Sequence, residues 1–161
     1  MEKKETLHKV KLTVPFLSAK AEDDIATVAS LLKGMEKHSL SHAPWEETYP
    51  AKASVQFAVA YNHNSLYLQY DVEEEFVRAL HGRANQPVYE DSCVEFFISF
   101  DRGETYYNFE FNCIGTVLGS YGPSKQDRQF LPEDLLKRVE CQSTIRRLTN
   151  SPFVSWQLTA I

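Results

Sequence analysis

Apolar and polar residues alternate along much of this chain, and period two marks strands with one buried face. "HKVKLTV", residues 8–14, alternates and predicts a first strand. "SVQFAVAY" and "LYLQYDVE" alternate on either side of "NHNS" and predict a hairpin. Val55, Phe57, Val59 and Tyr61 share one face of it, and Leu66, Leu68, Tyr70 and Val72 share the matching face of the second strand. "YEDSCVEFFISFDRGETYYNFEFN", residues 89–112, reads as a second hairpin, and "TVLGSYG", "CQSTIRRL" and "SPFVSWQLTAI" read as later strands. Only two segments show helical spacing. Ile25, Val28, Leu31 and Leu32 predict a short helix near residues 22–33, and "LPEDLLKRV" predicts another near 132–138 with Pro132 at its start. Many short strands with few helices predict an all-β, antiparallel sandwich or barrel with one or two short helices.

The second hairpin carries the chemistry. A turn at Arg102–Gly103, or a four-residue loop pairing Phe100 with Thr105, gives one and the same register. In it Cys93 faces Asn112, Glu95 faces Glu110, Phe97 faces Asn108 and Ser99 faces Tyr106, all on one side of the sheet. The other side holds Val94, Phe96, Ile98, Phe100, Tyr107, Phe109, Phe111 and Cys113, which predicts that Phe96, Ile98, Phe109 and Phe111 are core. A three-residue turn shifts the register by one and separates the two glutamates.

Directly opposed like charges destabilise a sheet. Four arrangements relieve them: splaying into solvent, an arginine between them, a bridging calcium ion, or a proton on one. Arg78, Arg83 and Arg128 lie in flanking loops within reach. Acceptors and amides among aromatic rings also match a sugar, whose hydroxyls need polar partners and whose C–H faces stack on rings. Trp45, Trp156, Tyr89 and Tyr106 are the candidate platforms, with core packing as the alternative role for either tryptophan.

Length and composition bound these readings. The 161 residues suit one domain, residues 1–161, with a real core. The last strand stops at Ile161, and a sandwich needs late strands to close its edges, which leaves open a truncation at the C-terminus. A net charge of −5 argues against partnership with nucleic acid or an anionic membrane. Three cysteines without a CxxC make neither a disulfide framework nor a zinc site, so Cys93, Cys113 and Cys141 are expected as free thiols. No run approaches the ~18 apolar residues of a membrane span. The first 20 residues lack the apolar core of a signal peptide, so a cytoplasmic protein or a leader-trimmed secreted one is expected.

"FVRA", "VYEDSCVEFFISF", "YYNFEFNCIGTVLGSYG" and "SWQL" together resemble the carbohydrate-binding module family 9-like domains, part of the DOMON-like group of sugar- and haem-binding β-sandwiches. The similarity runs from about Phe57 to the C-terminus. It implies a jelly-roll-like sandwich that binds a saccharide without cleaving it, as a monomer or attached to a larger enzyme. It also implies a sugar clamped between tryptophans, with structural calcium in some members and no other cofactor. Matching positions are Arg78, Asp91, Glu95, Asn108, Glu110 and Asn112; for the clamp the chain offers Trp45 and Trp156 alone. Arg78 thereby becomes the first choice for the cation between Glu95 and Glu110, with calcium at the two glutamates as its alternative.

The ligand-binding set is therefore Trp45, Arg78, Tyr89, Asp91, Glu95, Tyr106, Asn108, Glu110 and Asn112. The competing readings are a structural or interaction domain, and a glycan-processing enzyme using Glu95 and Glu110 as acid and base. A haem domain needs an axial Met or His. The chain offers Met1, Met35 and histidines in turns or loops, such as His63 and His81.

Overall fold

The computed structural model describes residues 11–19, 23–40 and 53–161. Helix α1 (Ile25–Lys33) is followed by β1 (His38–Leu40), β2 (Ser54–Tyr61), β3 (Leu66–Glu74), β4 (Cys93–Ile98), β5 (Tyr106–Asn112), β6 (Val117–Gly122) and β7 (Gln129–Phe130). A short helix, α2 (Glu133–Leu136), then leads to β8 (Cys141–Arg147) and β9 (Val154–Ala160). The strands form two antiparallel sheets, one in the order β1-β2-β3-β9-β8 and one in the order β4-β5-β6-β7. The expected β-sandwich with two helices is what forms.

The first hairpin pairs as its alternation requires, with Val55 opposite Val72, Phe57 opposite Tyr70 and Val59 opposite Leu68. The predicted strand at residues 8–14 does not form over its described part. Lys11–Val14 lies outside any strand and is exposed, and contact with β2 is a single parallel bridge from Phe16 to Tyr61. Along the same strand β2, β1 pairs with Val55 to Phe57. Residues 8–10 lie outside the described residues.

Helix α1 begins where Asp24 accepts a 2.8 Å hydrogen bond from the Thr27 N–H, satisfying one of the free donors of the first turn. Its Val28 and Leu32 pack with Leu17, Ala60 and Tyr67 on the outer face of the five-stranded sheet. The inner face of that sheet supplies Leu68, Tyr70, Val72, Trp156 and Leu158 to the main core, against Val94, Phe111, Val117 and Leu136. Trp156, one candidate sugar platform, is therefore core, and its indole N–H donates to Glu74 at 2.6 Å. Tyr70 links the sheets, donating its hydroxyl to the Glu95 carbonyl at 3.2 Å.

The second hairpin has the predicted register: Cys93↔Asn112, Glu95↔Glu110 and Phe97↔Asn108. Arg102 (φ 63°) and Gly103 (φ 92°) both sit in the left-handed region, as a two-residue turn matching strand twist requires. Asp101 anchors the turn by accepting from the Thr105 N–H and hydroxyl and from the Ser99 hydroxyl, bonds that hold its pKa down at about 2.

Burial along the inner face of this hairpin departs from expectation. Val94 and Phe111 are buried, but Phe96, Ile98, Phe109 and Tyr107 are half-buried and Phe100 is 79% exposed. The residues face inward as their alternation says. Toward the turn, however, the space between the sheets is an open cavity of about 740 Å³ rather than packed side chains. Alternation dictates the direction of a side chain, not whether something lies opposite it.

Cys93, Cys113 and Cys141 are all free thiols, with Cys113 fully buried. The burial gradient sets an order of mutational cost. Phe111→Ala should lower stability by about 3–5 kcal/mol, and Phe100→Ala by well under ~1 kcal/mol as an exposed position. Urea denaturation of the two variants checks this; equal losses would mean the open end is packed in solution.

Candidate functional site

The outer face of the four-stranded sheet is polar where an outer sheet face meets water, yet much of it is buried. Across one row lie Phe97, Asn108, Ser120 and Phe130, contributed in turn by β4, β5, β6 and β7. The neighbouring row holds Glu95, Glu110 and Leu118, and on the other side Tyr106 pairs with Gly122. Asn108, Glu110 and Ser120 are 0%, 5% and 3% exposed, whereas the flanking Phe97 and Phe130 are 52% and 65% exposed. A polar floor thus lies between two open phenyl rings.

The loop after β6 supplies part of the cover. A Cβ on Gly122 would come within 2.7 Å of the Asp127 carbonyl and 2.8 Å of the Arg128 Cα, so only glycine lets this loop lie directly on the sheet. That approach sets the Arg128 guanidinium 5.6 Å above the Tyr106 ring, a cation–π contact.

Five buried polar atoms among the described residues have no hydrogen-bond partner: Asn108 Oδ1 and Nδ2, Glu110 Oε2, Ser120 Oγ and Arg128 Nε. Asn108, Glu110 and Ser120 lie on this face by register, and Arg128 lies over it at Tyr106. Buried polar groups are nearly always satisfied in native proteins, and each exception costs about 1–3 kcal/mol. A cluster of them, mixing donors and acceptors, marks a place that a ligand or water completes.

Glu110 is the electrostatic centre of the face. Its pKa is pushed up to about 7, first by burial and then by the Glu95 carboxylate across the ladder, against the opposing pull of Arg128 and Lys125. The Cys93 thiol is driven up by burial and by Glu110 and Glu95, which keeps it protonated and unreactive at neutral pH.

Arg78 does not lie between the glutamates. Its Nε is 3.7 Å from Asp91 Oδ1, and its side chain is more than half exposed. The cations acting on Glu110 are Arg128 and Lys125. Arg78 is drawn away because its backbone is stitched to Ser92, through its N–H to the Ser92 hydroxyl at 3.1 Å and its carbonyl to the Ser92 N–H at 2.9 Å.

Asp91 and Asn112 are occupied by the chain itself. Asp91 accepts from the Leu80 and His81 N–H groups at 2.9 and 3.0 Å. Burial works to raise its pKa, but these bonds and that from Asn112 outweigh it and hold the carboxyl below its ordinary value. Asn112 donates to Asp91 at 2.9 Å and to the His81 carbonyl at 2.8 Å, and accepts from the Ile114 and Thr116 N–H groups. Together they fasten the long β3–β4 connection to β5. Tyr89, in a single 3₁₀ turn of that connection (Val88–Glu90), is 60% exposed. Trp45 lies outside the described residues.

Among the described residues no group of three or more His, Cys, Asp or Glu gathers as a metal site. Calcium takes six to eight oxygens, and the Glu95–Glu110 pair gains no third carboxylate. Two carboxylates alone supply only part of that shell.

The 740 Å³ cavity lies on the opposite face of the same sheet and is lined by apolar residues such as Leu66, Phe96, Ile98 and Phe109 together with polar ones such as Asn62, His63, Arg138 and Glu140. None of those polar residues is among the unpartnered buried atoms of the described residues. The outer face, with its unsatisfied atoms, is the better candidate site.

The model of carbohydrate-binding family 9 matches residues 26–161. The chain belongs to that family. A solved structure, that of a candidate carbohydrate-binding protein from Bacteroides uniformis ATCC 8492, is similar to this family 9 chain at 34% identity and a TM-score of 0.79. The similarity covers 92% of this chain and 70% of that one. No curated protein matches the chain.

Sequence reasoning missed Ser120 and Phe130 on this face, and it named Arg128 as within reach of the glutamates but ranked Arg78 ahead of it. Ser120 was legible from the alternation of β6 once its pairing with β5 was known. Phe130 sits on a two-residue strand, too short to show a period.

A folded-state pKa raised above the unfolded value of 4.5 makes Glu110 a pH-dependent load. Below pH 4.5 both states hold the proton and the load is absent. Stability is then lost as pH rises through about 7 and stays lower above it. Chemical denaturation at pH 5 and pH 8 should show wild type losing roughly 1–3 kcal/mol more than Glu110→Gln over that interval. Parallel profiles would place Glu110 in ordinary solvent.

Proposed function

We propose that this family 9 chain is a non-catalytic saccharide-binding domain and that the outer face of the β4-β5-β6-β7 sheet holds the sugar. The observation that carries this is the cluster of unpartnered buried donors and acceptors between exposed aromatic rings. A pyranose presents the complement: vicinal hydroxyls, each donor and acceptor at once, and apolar C–H faces that lie on rings. Asn108 and Ser120 suit a hydroxyl pair, Glu95 and Glu110 accept strongly, and Phe97, Phe130 and Tyr106 supply the stacking surfaces. The aromatic role implied for tryptophans passes to phenylalanines on the flanking strands. Because the floor atoms are closed off in the free protein, binding displaces Arg128 from the Tyr106 ring and turns it toward the ligand. The family and the carbohydrate-binding relative from Bacteroides uniformis support this reading.

A second reading is glycoside cleavage, favoured by the one observation that a carboxyl with a pKa of about 7 faces another carboxylate. Directly paired residues have Cβ atoms about 4.5–5.5 Å apart, which allows the short separation of a retaining pair. Cleavage, however, leaves the unpartnered Asn108 and Ser120 beside the pair without a role, and binding gives them one.

A glycan array followed by calorimetry tests both. Wild type should bind at least one neutral saccharide and release no cleaved product over hours by mass spectrometry. Arg128→Ala, at a half-buried position, and Phe97→Ala, at an exposed one, should each weaken binding about tenfold or more, or ~1.4 kcal/mol. Undiminished binding by both variants would move the site elsewhere, and hydrolysis would make the second reading the right one.

A further inference from the structure

Resting on the saccharide-binding reading, we propose that the sugar is bound together with one proton held by the Glu95–Glu110 pair, so that affinity is coupled to pH. Three geometric facts carry it. Glu95 and Glu110 are direct cross-strand partners, with no residue of either strand between them. Glu110 is buried and its Oε2 has no partner. The cation that sequence places between them, Arg78, is tied to Asp91 instead.

The charged and titratable surroundings of Glu110 come from every element packed on it. Across β4 are Glu95 and the Cys93 thiol, which carries no compensating charge. The loop after β6 contributes Arg128 and Lys125. From β6 the directly paired residue is Leu118, which offers neither charge nor hydrogen bond. Of the two cations, Arg128 lies over Tyr106, which is four residues before Glu110 on β5. These cations do not cancel burial and Glu95, and the carboxyl accordingly loses its proton only near pH 7.

A sugar set on this face strips water from Glu95, which is exposed in the free protein. Removing that screening strengthens the repulsion between the two carboxylates. That change favours the protonated pair, so binding takes up a proton from solvent, and no covalent bond is made or broken. Protonated, Glu110 also gains a donor that its ionised form lacks. Because the carboxyls interact, the proton belongs to the pair and not to a fixed oxygen.

The sign follows from linkage. Below the free-state transition the proton is already present and affinity is flat. Above it each binding event must recruit a proton, so affinity falls by up to about tenfold per pH unit. Two measurements test this. First, NMR titration of the side-chain carboxyl carbons in the free protein should show Glu110 titrating near neutrality. Titration below pH 5 overturns the proposal whether or not a sugar is known. Second, calorimetry with the best array saccharide from pH 5.5 to 8.5, in buffers of different ionisation enthalpy, should show weakening above pH 7 and uptake approaching one proton. Glu110→Gln should abolish the slope whatever its remaining affinity, and Glu95→Gln should move the transition to lower pH. Sugar binding without pH dependence overturns the proton coupling while the saccharide reading stands. No binding to any saccharide at any pH overturns both, and a neutral Glu110 transition would then remain as a property of the fold alone.

Discussion

A two-residue turn governs the rest of the molecule. Arg102 and Gly103 close the β4–β5 ladder, and Asp101 locks them by gathering the Thr105 and Ser99 hydrogen bonds. One more residue in the turn would flip one strand relative to the other, because side chains alternate with period two. Val94 and Phe111 would then point to opposite faces, and Glu95 and Glu110 would no longer meet. The same register therefore makes the core and creates the electrostatic conflict on the outer face. Selecting a register that buries Phe111 obliges the sheet to oppose two carboxylates.

The conflict is contained locally. Tyr70 ties the β4 backbone to the five-stranded sheet at the Glu95 carbonyl, and Val94, Phe111 and Val117 anchor the same strands from beneath. The face above can then carry unsatisfied polar atoms that an unsupported sheet could not hold. Single unsatisfied groups cost about 1–3 kcal/mol each. Their concentration on one face is a local cost, with stability supplied elsewhere in the fold.

The sequence shows those parts of the fold that depend on local rules and hides those that depend on approach. Both hairpins, the pairing of Glu95 with Glu110 and the two helices were legible, since turn chemistry and period determine them. The half-burial of Phe96 and Phe109 was not, because it depends on how far the sheets diverge at the open end. The displacement of Arg78 followed from backbone bonds to Ser92 that no period announces. Arg128 takes its place over the sheet because Gly122 lets a loop descend onto β6, a contact between segments that only a folded chain brings together. The resemblance carried by "EDSCVEFF" and "YYNFEFN" named the family correctly, and it pointed to residues of the right strands without separating their roles.

That separation comes from partners rather than residue types. Asn108 and Asn112 lie on one strand and one face, four residues apart, and both are fully buried. Asn112 uses its amide to fasten Asp91, the His81 carbonyl and the turn at Thr116, so it is part of the frame. Asn108 has the same side chain with neither amide atom engaged. Replacing Asn112 removes bonds that exist in the free protein, and so acts on folding. Replacing Asn108 removes no side-chain hydrogen bond of the free protein. On this face the hydrogen-bonding capacity exceeds what the chain itself consumes from Glu110 toward the turn, whereas at Asn112 the chain consumes it in full.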